Sequence, residues 1–193
     1  MTERSAATGP RRRGSAATRE AILEAATNRF ASHGYGGSGA REIAADAGVT
    51  AALVNRYFGS KEGLFAEVIE RAFDSGDLLG GARADLAARL ARRMVFGRED
   101  TKDISRTPML LLLRSATEPR AAELLRANLD RTFMRPLAKL LGGPDAEVRA
   151  GFVAAQLTGF ATLDQMIQSE AFTGIEREDL VAHLTVVLDY LLG

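Results

Sequence analysis

Apolar residues recur along this chain at intervals of three and four rather than two, and the rhythm resets at glycines, so the pattern predicts a succession of helices and no sheet. Thr18 reads as the N-cap of the first, with Glu20 in its first turn; Ile22, Ala25, Ala26, Arg29 and Phe30 follow at helical spacing and Gly34 ends it. Two short helices come next, up to Gly59. Ser60 then caps a helix whose apolar face is Leu64, Phe65, Val68, Ile69 and Phe73. Five more are expected beyond Gly80. The first runs from Ala82 to Phe96, with Leu86, Leu90, Met94 and Val95 inward, and a polar connector from Gly97 to Ile104 follows it. Thr107 caps Pro108, and the run Met109 to Leu113 has no polar face, which predicts burial on most sides. A helix from Glu118 to Leu141 contains Pro136, which either kinks or breaks it. The last two span about Asp145 to Glu170 and Glu176 to Leu192.

The two short helices carry a specific spacing. Where helices cross at a tight turn, the first needs a small residue facing its partner, the turn needs a residue free to take positive φ, and the second must return an aliphatic side chain to the core. Ala44, Gly48 and Val54 stand in that order, flanked by Ile43 and Val49 and closed by Tyr57 and Phe58. This is the pattern of a helix-turn-helix, and the same physics also builds an ordinary αα-hairpin without DNA function.

TREAILEAATNRF, then GY, REIAADAGV and LVNRYFGSKEGLF, together with the longer helical remainder, resemble the tetracycline-repressor (TetR) family of one-component transcription regulators. The resemblance is specific over Thr18 to Phe73 and architectural beyond. It implies a homodimer with an N-terminal DNA-binding domain and a C-terminal helical domain that binds a small effector and dimerises. By position, Thr50, Asn55, Tyr57 and Lys61 match residues such proteins use against DNA, and Arg41 matches an arginine that often reaches the duplex. The chain departs from the family where Gly39 replaces a capping Thr or Ser, Ala52 a glycine and Asn55 a tyrosine.

The chemistry of these residues gives roles of its own. A helix entering the major groove presents its N-terminal residues to base edges, which makes Thr50, Ala51, Ala52 and Asn55 the readers; the alanines suit a thymine methyl. Asn55 can pair bidentately with adenine, or bond a phosphate or water. Lys61, at a helix N-terminus, is a phosphate clamp. Arg56 lies beside the groove, Tyr57 can give its hydroxyl to a phosphate, and Ser38 can cap the second helix in place of Gly39. With Thr18 and Arg41 these complete the candidate DNA-facing set. The net charge is zero, yet residues 1–61 hold nine Lys or Arg against five acids, so the expected basic footprint lies at the N-terminal end. Residues 1–14, with Arg11, Arg12 and Arg13, read as a disordered basic arm that either reaches DNA or is a solvated tail.

The expected architecture is therefore all-α: the arm, a three-helix helix-turn-helix domain over 15–60, and an effector-binding and dimerisation domain over 61–193 that opens with a connecting helix over 61–78. For dimerisation, the small-residue stripe Gly151, Ala155 and Gly159 and the near-heptad Leu180, Leu184, Val187 and Leu191 suit a two-fold four-helix bundle, or alternatively the subunit's own core. A pocket for a mostly apolar effector would draw on Phe73, Met94, Met109, Leu112, Leu113, Phe133, Phe160 and Met166. Gln156, Asp164 and Gln165 are polar interruptions on the helix of Phe152 and Phe160; an inward Asp164 would select a cationic ligand, an outward one would be solvated.

With no cysteine and two distant histidines, His33 and His183, neither a metal site nor a cofactor is expected. No catalytic constellation is apparent, which argues against an enzyme. No apolar stretch follows the basic start and no run has the length of a membrane span, so a cytoplasmic protein is expected. The expected partners are a palindromic operator in double-stranded DNA, a small effector and a second copy of the chain. A helical protein-interaction module that kept the motif without specific DNA binding is the alternative.

Overall fold

The computed structural model describes residues 10–74, 76–97 and 107–193, and among these every regular element is helical. The helices are α1 (Pro10–His33), α2 (Ala40–Asp46), α3 (Ala51–Phe58), α4 (Lys61–Ala72), α5 (Leu86–Phe96), α6 (Thr107–Ser115), α7 (Pro119–Leu129), α8 (Arg135–Leu141), α9 (Ala146–Ala161) and α10 (Arg177–Leu192).

Helix α1 begins well before Thr18. Pro10 occupies its first position, where a missing N–H costs nothing, and the following arginines and alanines favour helix. Thr18 is accordingly not an N-cap: its hydroxyl donates to the Gly14 carbonyl one turn back, 2.7 Å away. Residues 10–14 of the expected arm thus belong to α1; residues 1–9 lie outside the described residues, as does most of the Gly97 to Ile104 connector, and the cap expected of Thr107 falls on that border.

Two apolar cores divide the chain. The N-terminal one is built on Ile22, Phe30, Ile43, Val54, Leu64, Phe65 and Ile69, and includes Leu111 from α6 with Ala121 and Leu125 from α7. The second gathers Leu86, Leu90, Phe133, Leu137, Val153, Leu184 and Leu188. The packing therefore divides along α4, α6 and α7 rather than at residue 61. Helix α6 is less enclosed than its sequence predicts: Leu111 is fully buried, while Leu113 is 40% exposed.

Helices α7 and α8 form one rod, as the single expected helix from Glu118 to Leu141 requires, but Pro136 neither breaks nor simply kinks it. A π-turn, Asp130–Met134, precedes the proline, and the Arg135 N–H reaches back to the Asp130 carbonyl. The wider turn absorbs a position where proline has no N–H to give. A second π-turn, Thr162–Ile167, extends α9.

Candidate DNA-binding face and its link to the C-terminal core

The turn between α2 and α3 is closed by backbone bonds. Gly48 takes φ +66°, its N–H donates to the Ala45 carbonyl, and the Val49 N–H donates to the Ala44 carbonyl at 2.8 Å, the paired bonds of a Schellman end. Helix α3 then starts at Thr50, whose carbonyl accepts from Leu53 and Val54. Val54 and Phe58 are buried and fix the rotation of α3, which leaves Thr50, Ala52, Asn55 and Arg56 exposed. Arg41 is exposed on α2, and Ala51 is half-buried against the core.

Three expected site residues are placed differently from their reading. Ser38 is fully buried and donates to the Gly34 carbonyl at 2.8 Å, so it neither caps α2 nor faces outward. Gly39 is the N-cap, and the Glu42 carboxylate folds back over it where a Cβ would stand. Thr18 is held to Gly14 as described. Tyr57 is half-buried with its hydroxyl 2.9 Å from that of Ser15, which draws the early part of α1 beside the end of α3.

Beyond Gly59, Ser60 caps α4 by accepting the Gly63 N–H at 3.1 Å. Lys61 follows, half-buried, with its ammonium 4.1 Å from the centre of the Tyr35 ring. Ion pairs brace the unit: Arg29 with Asp46 at 2.9 Å, Arg19 with Glu67 and Arg71 with Glu20. Burial pushes the Tyr35 phenol up to about 12, and the Glu62 carboxylate that faces it adds to the rise. Glu62 in turn lies below the ordinary carboxylate range because its own backbone N–H, Ser60 and Tyr35 hydrogen-bond to it.

The C-terminal half touches this face at one corner. Gly34 packs so closely on the Arg114 carbonyl that no side chain fits between them, Arg114 donates to the Ser32 carbonyl, and Ser115 accepts from the Tyr35 N–H. The end of α6 is thereby keyed into the end of α1. Sequence reasoning missed Tyr35, Arg114 and Ser115 as a group, since nothing local joins residues eighty positions apart.

The expected pocket residues are not gathered in one place. Phe73 and Leu112 pack on the N-terminal core, Met94, Phe133 and Phe160 on the C-terminal one, and Leu113 is exposed. Met109 is buried, its sulfur 3.7 Å from the Thr162 hydroxyl. Gln156 is half-buried, and Gln165 donates to the Met94 carbonyl at 3.0 Å. Asp164 is neither a free selector nor solvated: it accepts two bonds from Arg177, at 2.8 and 3.1 Å, and Arg177 also donates to the Val95 carbonyl. An open polar cleft of about 790 Å³ lies instead between α4 and the first π-turn, lined by Glu67, Glu70, Arg71, Asp74, Arg131 and others. Glu67, Glu70, Arg71 and Arg131 are engaged in ion pairs.

On the far side, Leu180 and Leu184 are buried in the subunit's own core, Leu191 is half-buried, and Gly151 sits against Met134. Val187, Ala155 and Gly159 are exposed. They belong to a larger exposed apolar stripe of Val148, Phe152, Leu163 and Ile167 on α9 and its extension, with Val186 and Tyr190 on the neighbouring α10. Phe152 is 61% and Tyr190 88% exposed, and their spacing of four residues from Val148 and Val186 was the signal available in the sequence.

Residues 84–192 match the tetracyclin repressor-like C-terminal domain, and residues 22–68 match the tetR family of bacterial regulatory proteins. This chain belongs to the TetR family of bacterial transcriptional regulators. Within the family, it is 60% identical over 43 residues to the HTH-type transcriptional regulatory protein RaaS of Mycobacterium tuberculosis, a match that covers 22% of this chain and 20% of that protein. It is 44% identical over 55 residues to the HTH-type transcriptional repressor SCO4008 of Streptomyces coelicolor, covering 28% and 29%. The chain thus matches less than a third of the length of these curated relatives. Likeness over nearly the whole length comes from a TetR-family regulator of Streptomyces coelicolor, SCO0857: 28% identity, 95% of this chain, 99% of that one and a TM-score of 0.60. Among the described residues of this TetR-family chain, no helix is long and apolar enough to cross a membrane.

Proposed function

We propose that this chain is a sequence-specific DNA-binding repressor that acts in the cytoplasm as a homodimer and leaves a palindromic operator when a small, mostly apolar effector binds. The observation that carries the reading is the rotation of α3: Val54 and Phe58 anchor it, and Thr50, Ala52, Asn55 and Arg56 stand outward together. Outward residues on the first turns of a second helix are those that meet base edges in the major groove. Arg41 and Lys61 flank them as phosphate contacts.

The exposed stripe on α9 and α10 supports dimerisation, because a contiguous apolar surface on two neighbouring helices is the surface a two-fold four-helix bundle buries. Two recognition helices would then stand about 34–36 Å apart, one turn of DNA. Effector binding supports release through the α6 corner: a ligand between the cores that displaces α6 moves Gly34 and Tyr35, and with them the start of α4. The name of SCO4008 as a repressor, and the match in the N-terminal region, favour repression over activation.

Selection of genomic fragments by the purified protein, read by sequencing at moderate and high salt, tests the reading. A palindrome that persists at high salt is expected, and Asn55→Ala should relax the preference at one base pair of each half-site, a change of about 1–3 kcal/mol. Salt-sensitive, patternless binding that is indifferent to Asn55→Ala would reject it in favour of a protein-interaction module.

A further inference from the structure

Tyr35 occupies an unusual position for a core aromatic. Its ring stacks on Phe30 with centroids 6.0 Å apart and meets Phe65 edge-on at 4.9 Å, so the core fixes its plane. Only 7% of the residue is exposed, and the Lys61 ammonium lies over that ring, 4.1 Å from its centre. Lysine has a long stem that loses about 2 kcal/mol of rotamer entropy when it is held in one place. An aromatic face restricts that stem before any partner arrives, while two of the three ammonium donors stay free for an anion. The Glu62 carboxylate beside Lys61 would otherwise compete for the cation, and the Tyr35 hydroxyl engages it.

We propose that Tyr35 is a positioning residue for DNA binding, whose ring holds the Lys61 ammonium at the N-terminus of α4 in the place from which it contacts a phosphate. This rests on the reading of Lys61 as a phosphate contact, and the experiment separates the two. The full chain and its variants are titrated with a short duplex of random sequence between about 50 and 200 mM salt. Lys61→Ala should flatten the plot of log affinity against log salt by about 0.9, the value of one lost phosphate contact. Tyr35→Leu should flatten it equally, Tyr35→Phe should keep the parent slope, and Tyr35→Leu combined with Lys61→Ala should add nothing. A loss of stability alone lowers the active fraction and leaves the slope unchanged.

If Lys61→Ala leaves the slope intact, the phosphate reading falls and the proposal with it. If Lys61→Ala flattens the slope and Tyr35→Leu does not, the phosphate contact stands and the positioning role is wrong; a double variant flatter than either single one also overturns it. A measurement that needs no variant to fold completes the test: the Lys61 ε-methylene protons of the free parent chain should be shifted upfield by the Tyr35 ring current. Resonances at ordinary lysine positions would overturn the proposal.

Discussion

The backbone N–H of Tyr35 donates to the hydroxyl of Ser115, 3.2 Å away and eighty residues further along the chain. Both residues are buried, so no water replaces the acceptor when it is removed. Ser115→Ala should therefore cost about 1–3 kcal/mol, the penalty of an orphaned buried donor, read as a lower midpoint in urea. Arg114 still holds the Ser32 carbonyl, so the corner should stay docked and the far-ultraviolet spectrum should be unchanged.

The outward stripe on α9 and α10 predicts a variant that folds but does not pair. Phe152→Glu adds a charge at a site that is 61% exposed, where the subunit's own core loses nothing. Sedimentation should show the parent as a dimer and Phe152→Glu as a monomer with intact helicity. An unchanged dimer would place the interface elsewhere.

Asp164 is nearly enclosed, its side chain 9% exposed, whereas Arg177 is 43% exposed. Removing the arginine strands the carboxylate. Discounted for the solvent that screens Arg177, the loss in Arg177→Ala should be about 2 kcal/mol at neutral pH, measured by chemical denaturation. Arg177→Lys should recover only part of this, because an ammonium cannot make the two parallel bonds and reach the Val95 carbonyl as well.

Tyr35 also makes stability depend on alkaline pH. Its folded-state value of about 12 lies above the unfolded value of 10.0, so the folded chain holds the proton more tightly. The stabilisation is complete below pH 10 and is lost as pH rises through 12, with a total of about 2 kcal/mol. Denaturation midpoints measured across this window should fall more steeply for the parent than for Tyr35→Phe, which has no proton to lose.

The helix-turn-helix was legible because its determinants are local: Gly48 at positive φ, Ser60 as a cap, and Ala44 and Val54 at the crossing all act within a few residues of themselves. Thr18 was misread because its hydroxyl has two partners open to it, an N–H ahead or a carbonyl behind, and Pro10 had already started the helix. The outward face of α9 was not legible because the helix is apolar on both sides: Val153, Leu157 and Phe160 face inward while Val148 and Phe152 face out. Periodicity marks such faces without ranking them. The pocket residues scattered for a related reason, since α6 and α7 serve two cores and the sequence does not say where one hands over to the other.

The π-turn at Asp130–Met134 makes that handover possible. A helix advances about 100° per residue, so one surplus residue in the coil is a phase shift of that size. Upstream of it the rod presents Ala121 and Leu125 to the N-terminal core; downstream it presents Phe133, Leu137 and Leu141 to the C-terminal one. Excising a single residue from the turn would leave a regular helix of nearly the same length and composition, with its second half facing the wrong way.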